Sequence, residues 1–112
     1  APGVLLAYQT VVRDYLGDEP KARYVEAMTR WVAGEAPGGP RRLWVELEAA
    51  PGGWQDPSGL PMALDAHLAD GAGGARRLTL ARCSYHPDRL APDPAAVAEL
   101  AAALAPARDR KI

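Results

Sequence analysis

Val4-Leu5-Leu6-Ala7-Tyr8 and Leu43-Trp44-Val45-Glu46-Leu47-Glu48, with the segment from Asp18 to Gly34 between them, decide the fold class. The first stretch is a continuous apolar run. Such a run fits a strand buried on both faces, the usual state in a parallel sheet, although periodicity alone does not separate it from a buried helix. Asp18 reads as an N-cap, with Glu19 and Pro20 in the first turn where a missing N–H costs nothing. Ala22, Val25, Met28, Trp31 and Val32 then recur at three- and four-residue spacing, the stripe of a helix facing a core. Gly34 closes that helix, and Pro37-Gly38-Gly39-Pro40 is a loop. Strand, crossover helix, strand is a βαβ unit.

Working outward, Gln9 and Thr10 follow the first strand. Val11, Val12, Tyr15 and Leu16 have the spacing of a short helical turn that ends at Gly17. After the second strand, Pro51 to Gly59 is a loop. Leu60, Met62, Leu64, Ala66 and Leu68 alternate with mostly polar or small residues, the period of a half-buried strand. Asp70-Gly71-Ala72-Gly73-Gly74 is a turn rich in residues that tolerate positive φ. Leu78, Leu80 and Arg82 alternate with Thr79, Ala81 and Cys83, so the two runs form an antiparallel hairpin. Asp93 and Pro94 open a last helix with Val97, Leu100, Ala101 and Leu104 as its apolar stripe. The tail from Arg108 is polar and expected to fray.

The expected fold class is therefore α/β: a βαβ unit, an antiparallel β-hairpin and a C-terminal helix, in two or three layers. Strands are expected at about 4–8, 43–48, 60–68 and 76–83, and helices at about 18–34 and 94–105, in one domain over residues 1–112. Trp31, Trp44 and Val45 are expected to share one core.

Composition narrows the function classes. The 23 Ala and 11 Arg against 2 Lys, with no Asn or Phe, are the bias a GC-rich genome imposes. Arginine here replaces lysine, and 13 basic against 14 acidic side chains give a net charge of −1, so no large counterion-release term and no nucleic-acid partner are expected. No apolar run approaches the roughly 18–20 residues of a membrane span. The single cysteine, Cys83, excludes an internal disulfide and a cysteine-rich zinc site and fits a reducing compartment, so a cytoplasmic location is expected. The chain opens on Ala1-Pro2-Gly3 without Met. It reads as a processed chain or a piece of a longer protein, because a strand apolar on both faces asks for more cover than two or three helices supply. A complete small α+β domain, closed by dimerisation through an open sheet face, is the other reading.

The stretch from Gly3 to Leu16 (Gly-Val-Leu-Leu-Ala-Tyr-Gln-Thr-Val-Val-Arg-Asp-Tyr-Leu) resembles a segment of an uncharacterised bacterial family, the domain of unknown function numbered twenty-three thirty-two. Pro20-Lys21-Ala22-Arg23-Tyr24 resembles the start of that family's next helix. Leu43 to Glu48 is similar to its next strand, and Leu80-Ala81-Arg82-Cys83 with His86-Pro87 to its closing strand. The resemblance covers residues 3 to about 88. It implies a Rossmann-like, methyltransferase-like fold of which this chain matches the C-terminal half, so that the partner would be the missing N-terminal half. Two departures stand out: Gln9-Thr10 replaces a common His-Ser, and Asp88-Arg89-Leu90 with an Ala-rich helix follows the His-Pro in place of a glycine and an aromatic strand.

No complete catalytic motif is present: no GxGxxG, P-loop, HExxH, GxSxG or CxxC. Asp70 to Gly74 is Gly-rich, but no helix N-terminus follows to hold a phosphate. Gln9 and Thr10 sit just past the carboxyl end of the first strand, where open α/β sheets place ligands, and they can donate and accept hydrogen bonds. Glu48 ends the next strand. Gln9, Thr10 and Glu48 are the ligand-binding candidates; a helix cap before Val11 is the plainer role for the first two. Glu46 and Glu48 share one side of their strand, which reads as a solvated face, and His67 is expected to face solvent or a neighbour. Cys83, His86 and Asp88 are close enough in sequence for a thiolate–base pair, or for a buried Cys beside a surface His. Arg41-Arg42 and Arg76-Arg77 fit strand edges. No metal and no cofactor are expected in this chain.

Three functions compete at this level. One is the C-terminal part of a methyltransferase-like domain with no complete active site of its own. Another is a stand-alone binding or interaction module, dimeric through an exposed sheet or helix face; in the half-sheet reading too the isolated chain is expected to pair with itself, with Val4, Leu6 or the Val11–Leu16 turn in the interface. The third is a small hydrolase using Cys83 and His86.

Overall fold

The computed structural model describes residues 3–105. The chain forms β1 (Val4–Thr10), α1 (Asp18–Ala33), β2 (Arg41–Ala49), β3 (Met62–Ala69), β4 (Ala75–Cys83), β5 (Leu90–Pro92) and α2 (Pro94–Leu104), with 3-10 turns at Arg13–Tyr15 and Gly53–Gln55. The five strands make one mixed sheet in the order β1-β2-β3-β4-β5. β1 and β2 are parallel, and the other three neighbours are antiparallel. The βαβ unit, the hairpin and both helices thus lie where the periodicities put them. β5, which extends the sheet by pairing Leu90–Pro92 with Ala81–Cys83, is too short to leave a periodic signal. The polar tail from Arg108 lies outside the described residues.

Alternation along the strands sorts the side chains onto two faces. On one face Leu43, Val45, Ala66, Leu68, Leu78 and Leu80 pack with Leu100, Ala103 and Leu104 of α2. The opposite face carries Arg42, Trp44, Glu46 and Glu48 and lies under α1. Tyr24 meets the Trp44 ring edge-on at 6.1 Å, and Arg42 Nη1 donates to the Trp31 carbonyl at 2.7 Å. With one helix on each face, the architecture has three layers. Trp44 and Val45 are neighbours on a strand and therefore sit on opposite faces, so the single Trp31–Trp44–Val45 core is corrected: Trp44 belongs under α1, and Val45 belongs to the α2 core.

Helix ends follow local chemistry with one change. Gly17, in extended conformation, is the N-cap of α1 and makes no side-chain cap bond. Asp18 is instead the first helical residue, where its charge still complements the helix dipole. Asp93 caps α2 as expected, accepting from the Ala96 N–H at 3.1 Å. In α2 the half-buried stripe runs through Leu100, Ala103 and Leu104, whereas Val97 and Ala101 of the expected stripe stay exposed. At the hairpin tip Asp70 Oδ1 accepts from the N–H groups of Ala72 and Gly74 at 2.7 and 3.0 Å, and Gly71 takes φ 81°. A one-residue bulge falls at Leu80, because Asp65 pairs with Thr79 and Leu64 with Ala81. At Gly53 a Cβ would lie 2.2 Å from the Pro61 carbonyl oxygen, so only glycine lets that loop close against β3.

β1 departs most from expectation. A strand buried on both faces was the reading of its apolar run, yet it is an edge strand. Val4, Leu5, Leu6 and Tyr8 are 45, 48, 61 and 58% exposed. The reason lies in the placement of the helices: α1 packs mainly across β2, β3 and β4, and α2 against β4.

Candidate functional site

Parallel pairing sets Gln9 of β1 beside Glu46 of β2, with Glu48 two residues further on the same face. All three side chains are buried. The Gln9 carboxamide is held by four partners. Its oxygen accepts from Trp44 Nε1 at 3.0 Å and from the Tyr24 hydroxyl. Its Nε2 donates to Glu48 Oε2 at 2.8 Å and more weakly to Glu46 Oε1 at 3.4 Å.

Glu46 is 2% exposed and spends both oxygens. Arg13 Nη1 donates to Oε1 at 3.1 Å, and His67 Nε2 lies 2.6 Å from Oε2. Burial pushes the Glu46 carboxyl up, but the His67 hydrogen bond and the Arg13 charge together outweigh it and hold its pKa below the ordinary range. With Glu46 ionised, His67 carries its hydrogen on Nε2. The His67 ring stacks on Trp44 with centroids 4.2 Å apart. Burial, followed by the charges of Glu46 and Glu48, raises the pKa of Tyr24.

Glu48 does a different task. Its Oε2 accepts from the Val12 N–H at 2.9 Å, and its Oε1 accepts from the Arg13 N–H at 3.2 Å. Two successive main-chain donors converge on one carboxylate, the geometry of an anion-binding nest filled by the protein's own side chain. Val11 just before it takes φ 54°, which a β-branched residue rarely adopts. Glu48 therefore ties down the strained turn that leaves β1.

Of the three ligand-binding candidates, the fold brings Gln9 and Glu48 together. Thr10 stands exposed on the other face of β1, paired with Leu47. The turn at Arg13–Tyr15 begins from Val12 without a side-chain cap, so Gln9 and Thr10 do not serve as its cap. The solvated face expected for Glu46 and Glu48 is corrected, because α1 covers it. Of the two expectations for His67, the neighbour holds: it faces Glu46, with 15% of its side chain exposed. Arg13, Tyr24, Trp44, Glu46 and His67 complete the cluster. The signal for them was the same-side placement of Glu46 and Glu48, but only the parallel register puts Gln9 between them.

Elsewhere the chemistry is spent on structure. Cys83 is buried, and burial raises its thiol pKa. His86 is exposed and packs edge-on to Tyr85, while Asp88 accepts from the Ser84 hydroxyl at 2.6 Å. Arg41 pairs with Glu35 at 3.0 Å, and Arg76 with Glu99 at 2.6 Å. A surface hollow of about 500 Å³ lies at the start of β2 among Glu35, Arg41, Asp70 and Arg76, away from the Gln9 cluster. Among the described residues no buried polar side-chain atom lacks a partner, no acidic, His and Cys group of three is arranged to hold a metal, and no helix is long and apolar enough to cross a membrane. Chemically, the Gln9–Glu46–Glu48 cluster is a satisfied network that fixes geometry, and its residues do not line the hollow at Arg41. No known protein family, curated protein or solved structure matches this chain.

Proposed function

We propose that this chain is a binding and assembly module with no complete active site of its own, and that β1 is the strand through which it joins a larger sheet. One observation carries the reading. β1 is a seven-residue edge strand, Val-Leu-Leu-Ala-Tyr-Gln-Thr, with its large apolar side chains exposed on both faces. Proteins guard such edges with charge, proline, bulges or very short strands. β1 has none of these, whereas the opposite edge, β5, is three residues long and contains Pro92.

A narrower reading takes the larger sheet to be a methyltransferase-like domain and this chain its C-terminal part. The parallel β1–α1–β2 unit favours it, because Gln9 and Glu48 meet at the carboxyl ends of two parallel strands, where open α/β sheets take ligands. There Gln9 and Glu48 shape the loop after β1, exposed Thr10 is the reachable polar group, and any cofactor belongs to the other half.

Amide exchange tests the docking role. In a dilute monomer the N–H groups of Val4, Leu6 and Tyr8 should exchange fast, while those of Leu5, Ala7 and Gln9 are protected by β2. Equal, slow exchange at all six would mean that the edge is already covered, and the reading would fall.

A further inference from the structure

The identity of the strand that β1 accepts is a further step, and it rests on the docking role of β1. The protein's own ladder determines which main-chain groups are on offer. The Arg41 N–H donates to the Gly3 carbonyl at 3.0 Å, and the Val11 N–H donates to the Leu47 carbonyl at 2.9 Å. Main-chain groups alternate in direction along a strand, so the odd-numbered residues of β1 turn theirs to β2. Val4, Leu6, Tyr8 and Thr10 turn theirs to the open edge. By register, the side chains of these four lie on the same face as Leu43, Val45 and Leu47.

We propose that the partner is a second copy of this chain, paired antiparallel through β1 about a two-fold axis at Leu6. Leu6 then lies opposite Leu6 of the second copy, Val4 opposite Tyr8, and Leu5 opposite Ala7. Even-numbered residues oppose even-numbered ones, as hydrogen-bonded pairs require. Every cross-strand pair from Val4 to Tyr8 is apolar against apolar on both faces. Moving the axis to Ala7 would set Val4 against Thr10 and Leu5 against Gln9, and the Gln9 side chain is already committed to Glu48.

Charge and shape agree with this partner. No charged side chain lies between Val4 and Thr10, so two copies meet without like-charge repulsion, and a charged strand would find nothing here to pair with. Both helices pack mainly over other strands, which leaves β1 open along one edge, with Val4, Leu6 and Tyr8 exposed on one face and Leu5 on the other. The pairing is isologous and closes on itself. The outer ends of the ten-stranded sheet would be the two β5 strands, whose shortness and Pro92 stop further growth. Four large side chains per copy make a small interface, below roughly 1,200 Å² in total, which is the class of transient contacts.

Sedimentation equilibrium of the whole chain over a micromolar concentration series is the first measurement, with a reversible monomer–dimer equilibrium expected. Leu6→Pro removes an N–H that faces the edge, not β2, so it should weaken association about tenfold or more while leaving the fold intact. Leu6→Lys should do the same by placing two like charges opposite each other. Leu6→Cys should give a disulfide-linked dimer under mild oxidation, because hydrogen-bonded antiparallel partners have Cα atoms about 5.5 Å apart. Tyr8→Cys should not, and Cys83 is buried and does not compete. A monomer at every concentration overturns self-pairing, as does a dimer untouched by Leu6→Pro and Leu6→Lys, or one that crosslinks at Tyr8→Cys and not at Leu6→Cys. A monomer with fast exchange at Val4, Leu6 and Tyr8 leaves β1 a docking strand for a different partner; a monomer with slow exchange there removes the docking role as well.

Discussion

The Glu46 carboxylate lies 2.6 Å from Nε2 of His67, a residue on the neighbouring strand β3. That bond, with Arg13 on the other oxygen, makes it possible to bury an acid at the centre of the α1 face. An isolated carboxylate there would pay a large desolvation penalty and take up a proton. Here it stays charged, and Trp44, Gln9 and Tyr24 are organised around it.

Acid should loosen the fold through Glu46. Its folded pKa is held below the ordinary 4.5, so between those two values the unfolded chain binds more protons than the folded one. The stability it contributes is complete above its ordinary value and is lost as pH falls through the lower folded value. Urea unfolding from neutral pH to about pH 3 should therefore show a steep loss of stability below about pH 5. Half-buried Asp56 and exposed Asp70 and Asp88, also lowered by their hydrogen bonds, act with the same sign. Subtracting the Glu46→Gln profile isolates the Glu46 share; identical slopes for the two proteins would refute it.

Trp44→Ala should cost about 3–5 kcal/mol. The side chain is fully buried, and its loss removes the surface on which His67 stacks and a donor to Gln9. Denaturant midpoints measure this, and a loss below about 1 kcal/mol would be incompatible with a buried Trp44.

Val11→Gly should stabilise the chain by up to about 1 kcal/mol, because glycine takes φ 54° without the penalty a β-branched residue pays. The gain is partial, since glycine also raises the entropy of the unfolded chain and the Val11 side chain is half-buried. A lower thermal midpoint in the variant would show that packing of the Val11 side chain outweighs the backbone strain.

Cys83 should react with an aromatic disulfide reagent only at the rate of unfolding at neutral pH. The thiol is 2% exposed, and burial raises its pKa. Fast labelling of the native chain would place it at the surface and revive a Cys83–His86 nucleophile.

How much of this was legible without coordinates follows from the range of each interaction. The helix stripe Val25 to Val32, the Asp70–Gly74 turn and the Asp93 cap are local, so their residues announce them, although Ala22, the first residue expected in the stripe, is exposed. Glu46 and Glu48 announce a shared side, but not whether that side is wet. That depends on where α1 lands, which depends on the sum of its contacts with β2, β3 and β4. For the same reason Val4 to Tyr8 reads as an apolar strand, although whether it lies inside a sheet or at its edge is a question about neighbours.

By itself, then, the sequence determined the types and order of the helices and of the four longer strands, though not β5, because hydrophobic periods of two and near four are properties of consecutive residues. The tertiary structure alone decided that Gln9 sits between two carboxylates separated from it by 37 and 39 positions, that His67 turns inward, and that β1 stands at the edge. Those facts are set by register and by helix placement, where residues far apart in the chain compete for the same buried space, and no local pattern encodes the outcome of that competition.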